Sequence, residues 1–325
     1  MWLPVSSVVL ALLAVATSAT NLKQAQTHQQ RGLSIFSTSS SCQCKSALRA
    51  CLFIHGELNG NEEKELQASS KYFGDMTGHA PCCSSIRYVS LDTKSHGWTD
   101  GTLQETLCKH ALSMSSTSDI EEKVIKDTIL VTHSMGALIL AGAFANKKCS
   151  IEKRSTSWVS MSAPMLGTMV SNAAQDVCTD DGLKPFHEVL SLIGQCPVHT
   201  GIKSLAYMGG KYSTKALNKE YMEAQKAYRD NVQAAMCSNS NKGIVSMYQL
   251  KYRILGSYVE HGTSEHDGFV TFESCRGGLL ESKFGDLPTS SFYVTTCNHA
   301  DTAFLNGNAY FSDAMQPVKW FECLL

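Results

Sequence analysis

Asp127-Thr128-Ile129-Leu130-Val131-Thr132-His133-Ser134-Met135-Gly136-Ala137-Leu138-Ile139-Leu140-Ala141 changes character at one residue. A β-forming apolar run stops at Ser134, and small helix-forming residues start directly behind it. The pattern fits a strand, a tight turn and a helix, with Ser134 at the tip. In such a nucleophile elbow the hydroxyl stands above the sheet, where a base reaches it. The usual form is G-x-S-x-G. Thr132 occupies the first glycine position, and its β-branched side chain suits a strand end. Gly136 is kept where the helix must pass close to the strand. Taken by itself, the stretch also fits a strand entering a helix through a serine N-cap.

Three further segments favour the elbow. Upstream, Ala50-Cys51-Leu52-Phe53-Ile54-His55-Gly56-Glu57-Leu58-Asn59-Gly60 is a second apolar run, ending in His-Gly. Downstream, Tyr252-Arg253-Ile254-Leu255-Gly256-Ser257-Tyr258 reads as a strand and precedes Glu265-His266-Asp267-Gly268-Phe269-Val270. An Asp-Gly pair suits a plain turn, and it also suits a loop that presents a carboxylate. Ser291-Phe292-Tyr293-Val294-Thr295-Thr296 reads as another strand, followed by Cys297-Asn298-His299-Ala300-Asp301. Ser134, Asp267 and His299 thus each follow an expected strand, in the order serine, acid, histidine.

These motifs resemble the secreted α/β-hydrolases of the lipase/esterase superfamily, and among them the bacterial true lipases. The resemblance rests on His55-Gly56, His133-Ser134-Met135-Gly136, Asp267-Gly268-Phe269-Val270 and Asn298-His299-Ala300-Asp301, over roughly residues 48–305. It implies an α/β-hydrolase fold, a mostly parallel sheet flanked by helices and carrying a helical cap insertion. It also implies a Ser134, Asp267 and His299 triad. By position, the backbone N–H groups of Glu57 and Met135 would form the oxyanion hole. Asp301 falls where such lipases use an aspartate toward calcium, but one carboxylate is far short of the ligands calcium takes. No metal or cofactor is therefore expected. The implied activity is cleavage of carboxylic esters, lipid esters first, through an acyl-serine. A thioesterase or an acyltransferase would use the same triad. A non-catalytic binding protein on this fold is the alternative of a different class.

The chain has 325 residues, room for one large α/β domain with an insertion. Its formal net charge of -1 gives no electrostatic reason to expect nucleic acid. Residues 1–19 have the shape of a signal peptide, with an apolar stretch from Val8 to Val15 and then small residues up to Ala19. That stretch is too short to span a bilayer. Residues 20–46 read as a disordered lead-in, and 47–325 as the hydrolase domain. Thirteen cysteines fit a secreted, extracellular protein held by disulfides. The odd count leaves one thiol free or paired between chains. The triple Cys178, Cys196 and Cys237 cannot close among themselves, and a bridge at Cys297 would anchor the histidine loop.

Along the chain, residues 61–72 read as a helix, 86–91 as a strand, 102–114 as a helix and 158–162 as a strand. This alternation predicts a mostly parallel sheet. It lapses between about 165 and 250, where the cap insertion is expected. Within that window, 186–193 reads as a short apolar segment. Leu217, Tyr221, Ala224, Tyr228, Val232 and Ala235 then recur on one helical face. The long helix reads as a lid over the site, with a scaffold helix packed against the sheet as the alternative.

Overall fold

The computed structural model describes residues 42–179 and 196–325. The expected signal peptide, most of the expected lead-in and the segment 186–193 lie outside the described residues.

Seven strands form the central sheet: β1 (Arg49–Ile54), β2 (Cys83–Tyr88), β3 (Thr128–His133), β4 (Ser157–Met161), β5 (Ala234–Ser238), β6 (Phe284–Gly285) and β7 (Phe292–Thr295). Their spatial order is β2-β1-β3-β4-β5-β7-β6, and every pairing is parallel. Phe53 of β1 pairs with Tyr88 on one side and Val131 on the other. Strand β3 is buried along its whole length, which is why its sequence is a nearly unbroken apolar run. The helices are α1 (Gly101–Ser113), α2 (Met135–Ala145), α3 (Met169–Thr179), α4 (Thr200–Ser204), α5 (Lys215–Asn231), α6 (Met247–Tyr258), α7 (Phe272–Arg276) and α8 (Pro317–Leu324).

Helices α1, α2 and α5 pack together on one face, and α8 covers the other. From α8, Phe321 meets Phe53, and Trp320 stacks over Tyr293. The order of the strands reverses between β1 and β3, and ligands bind at such a switch point, beyond the carboxyl ends of the strands. Ser134 lies there, directly after β3. This is the α/β-hydrolase fold.

Two local expectations are overturned. Residues 61–72 are not helical but run extended beside β2, where Gln67 and Tyr88 exchange backbone hydrogen bonds. The segment is charged and offers little apolar face to drive a helix. Tyr252 to Tyr258, expected as a strand, belongs to α6, capped by Ser246, whose hydroxyl accepts from the Gln249 N–H. The strand that precedes the acid in the sheet is β5. Its sequence, Ala-Ala-Met-Cys-Ser, lacks the β-branched residues that mark a strand, but all five residues are buried.

The window 165–250 is therefore not one unit, because β5 runs through it. Helix α5 starts at the Thr214 cap and ends at Asn231, so Val232 and Ala235 leave its apolar face. Tyr221 packs on Trp98, and Tyr228 sits edge-on to Trp158. The long helix is thus a scaffold helix on the sheet, not a lid. Helix α6 is the one that reaches the mouth of the site.

Six disulfides account for twelve of the thirteen cysteines: Cys42–Cys323, Cys44–Cys82, Cys51–Cys83, Cys108–Cys149, Cys178–Cys196 and Cys237–Cys275. The first two tie down residues 42–46, which were expected to be disordered. Cys237 reaches out of its triple to α7. Cys297 is the free thiol, buried, so no bridge anchors the histidine loop.

Candidate active site

The turn at Ser134 is strained in the way an elbow requires. Its φ is 54°, in the left-handed region that side chains other than glycine seldom adopt. The Ser134 N–H is fixed to Met161 O (3.0 Å), and the serine is buried beneath the loops above it. A Cβ on Gly136 would fall 2.6 Å from His55 O, so only glycine lets α2 pass this close to β1. The same crowding operates at Gly56, where a Cβ would lie 2.7 Å from Ser134 Cβ. Thr132 is accommodated because its hydroxyl accepts from the Trp158 indole N–H (2.9 Å).

Ser134, Asp267 and His299 meet. The Ser134 hydroxyl donates to His299 Nε2 (3.0 Å), and His299 Nδ1–H donates to Asp267 Oδ2 (2.7 Å). Asp267 Oδ1 accepts from the Val270 N–H (2.7 Å) and the Phe269 N–H (2.8 Å). Burial opposes ionisation of this carboxyl. The adjacent His299 and the two amides outweigh it and hold the carboxyl below the usual aspartate range. Asp267 sits not just after a strand, as expected, but on a short loop beyond α6, closed by an antiparallel bridge between His266 and Thr271.

The His-Gly and Asn-His-x-Asp motifs act as braces. Carbonyls only accept, so His55 Nδ1 carries the proton it donates to Gly56 O (2.7 Å), and its Nε2 accepts from the Leu91 N–H (3.1 Å). Thr93 Oγ1 also donates to Gly56 O (2.9 Å), so the peptide entering Glu57 is held from two sides. Burial pushes His55 down to about 4 and keeps it neutral. His133 is buried against the His299 ring and pushed down to about 3, first by burial and then by that neighbour. Its Nε2–H bonds His299 O (3.0 Å), behind the serine.

In the histidine loop, Asn298 Oδ1 accepts from the Ala300 and Asp301 N–H groups. Asp301 Oδ2 accepts from the Asn298 N–H (3.0 Å) and the Ile244 N–H (2.8 Å), while Asp301 Oδ1 accepts from Asn306 (2.6 Å). Both oxygens of Asp301 are thus occupied in closing the loop. No cluster of three or more metal-binding side chains exists among the described residues. The residues at this position do not fit a calcium site.

Above the serine opens a pocket of about 430 Å³. Its walls come from loop residues 56–58, from Lys71 and Tyr72, from Tyr248, Lys251, Tyr252 and Leu255 on α6, and from Phe269. Sequence reasoning missed the α6 wall. Ser246, three residues before Gln249, was the available signal, a serine cap opening a helix. It also missed the side chain of Glu57, counted for its amide alone.

Beside Asp267, His261 stacks on His266 with ring centroids 4.0 Å apart, and both ring nitrogens of His261 are buried without partners. Burial, then the facing His266, pushes His261 from 6.5 down to about 4. Unfolded chains take up this proton as pH falls through about 6.5, whereas the native chain resists until about 4, so stability is lost across that window. His261→Phe keeps a ring on His266 and removes both orphan nitrogens. The variant is expected to melt above the parent, with a gap that widens on acidification to on the order of 1–3 kcal/mol. Melting curves at pH 7 and pH 4.5 check this; a gap that does not grow at the lower pH contradicts it.

No protein-family model and no curated protein matches the chain. Among solved structures it is similar to the Bacillus licheniformis lipase BlEst2 in mature form, at 15% identity over 80% of this chain and 88% of that one, with a TM-score of 0.48. It is also similar to EstA from Clostridium botulinum, at 13% identity over 89% of each chain and a TM-score of 0.43. The Staphylococcus hyicus lipase gives 12% identity over 86% of this chain and 94% of that one, with a TM-score of 0.42. Strand order and the place of the serine, rather than these overlaps, define the fold.

Proposed function

We propose that the protein is a serine hydrolase that cleaves carboxylic esters, lipid esters among them, through an acyl-serine intermediate. The observation that carries this reading is the hydrogen-bonded relay from Ser134 Oγ through His299 to Asp267 at the floor of the pocket. Ser134 attacks the ester carbonyl while His299 takes its proton and later returns it to the leaving alcohol. Asp267 holds the imidazole in the Nδ1–H tautomer and stabilises the imidazolium. The N–H groups of Glu57 and Met135 receive the oxyanion, each contributing on the order of 3 kcal/mol to lowering the barrier. Water then releases the acid. Helix α6 serves as the cap over this chemistry. Six disulfides favour an oxidising, extracellular setting.

The test is labelling with a fluorophosphonate, followed by turnover of p-nitrophenyl esters from C2 to C16, emulsified triglyceride and an acyl thioester. Labelling at Ser134 with ester turnover is expected. A protein that neither labels nor hydrolyses is a binding protein on this fold, and one that turns over only the thioester is a thioesterase.

A further inference from the structure

Among the ionisable side chains that line the pocket without joining the Ser134 relay, besides Lys71, are Glu57, next to Gly56, and Lys251 on α6. Glu57 Oε1 is shut off from solvent and has no hydrogen-bond partner. No cation lies within ion-pair distance of Glu57 among the described residues, and Lys251 makes no ion pair either. The Lys251 ammonium stands 5.6 Å from the centroid of the Tyr252 ring. Each group is nonetheless the main charged influence on the other, while the Leu58 N–H donates to the Glu57 carboxyl and Lys94 acts on it more weakly. Burial pushes the Glu57 carboxyl up to about 8 and the Lys251 ammonium down.

The Glu57 side chain is also held in place. Its Cγ rests against α4, where a Cβ on Gly201 would come within 3.1 Å. Gly56 meanwhile touches the serine. A carboxyl and an ammonium therefore face the cavity that holds Ser134, and one oxygen of the carboxyl has no hydrogen-bond partner. A hydrocarbon seated there would expel water and supply no hydrogen bond, which polar groups tolerate poorly. A hydroxyl donates to the carboxyl and accepts from the ammonium at once.

We infer that Glu57 and Lys251 form a polar subsite that selects esters bearing a hydroxyl near the scissile bond over esters that are purely hydrocarbon. The inference rests on Ser134 being the nucleophile.

Matched substrates test it in two arms. One arm sets p-nitrophenyl 3-hydroxybutyrate against p-nitrophenyl butyrate, placing the hydroxyl in the acyl part. The other sets 2-hydroxyethyl butyrate against ethyl butyrate, placing it in the alcohol. The full protein is expected to prefer the hydroxylated member in one arm by at least about tenfold in kcat/KM. Glu57→Leu and Lys251→Met are read only as that ratio, which should fall to near one, so a general loss of turnover cancels. A ratio near one in both arms for the unaltered protein overturns the subsite even if neither variant folds. So does a preference that survives both substitutions. Fluorophosphonate labelling separates the two levels: labelled protein without preference loses the subsite alone, and unlabelled protein loses the nucleophile and the subsite with it.

Discussion

Ser134→Ala is expected to reduce ester turnover by about 10⁴-fold or more while the protein folds as before. Removing Oγ takes away the atom proposed to form the acyl bond, and His299 Nε2 loses the Ser134 hydroxyl. The fold has no comparable dependence on that oxygen. The elbow is fixed by the backbone bond from Ser134 N to Met161 O and by the close passage of Gly136, and both survive the change. Far-UV dichroism should match the parent. What activity persists would come from oxyanion donors and substrate positioning alone. Parental rates in a folded variant would remove Ser134 from the chemistry.

Asp267→Asn should cost nearly as much, about 10⁴-fold in turnover, for a reason visible in the loop. Asp267 Oδ1 accepts from two backbone N–H groups, so an asparagine keeps its carbonyl oxygen there and turns its amide toward His299. The imidazole then accepts at Nδ1 and carries its proton on Nε2. In that tautomer it has no lone pair for the serine proton. Substitutions at Glu260, Glu265 or Asp286, all exposed, should be nearly silent. If Glu265→Gln proves the more damaging change, the acid has been misplaced.

The meeting of Ser134, Asp267 and His299 was more legible in the sequence than the scaffold around it. Ser134, Asp267 and His299 stand in short motifs whose residues are fixed by the site itself: Gly56 and Gly136 by the close approach of the two strand-end loops, and Asn298 by its bonds to the Ala300 and Asp301 N–H groups. The secondary structure near the acid was misread because two signals point the wrong way. Strand β5 is made of small residues and gains its stability from burial between β4 and β7, which no local propensity records. Helix α6 alternates tyrosine, arginine and isoleucine in a strand-like rhythm, and only Leu255 along it is fully buried. The lid expectation failed similarly. Periodicity shows that α5 has an apolar face, but not that Trp98 and Trp158 are what it meets. Glu57 was read for its amide, and nothing local announces that its carboxyl is left without a partner.

Cys297 gives the histidine loop an internal clock. Its thiol is fully buried two residues before His299, and burial drives it well above the ordinary cysteine range, so it is inert while the loop stays seated. With every other cysteine oxidised, any reagent consumed by the native protein is consumed at this one atom. Its carbonyl is held by Ser238 Oγ and its N–H by Thr295 Oγ1, so exposure requires the loop to part from β5 and the end of β7. The rate of thiol exchange therefore measures how often His299 swings away from Ser134, with no substrate present and no chemistry under way.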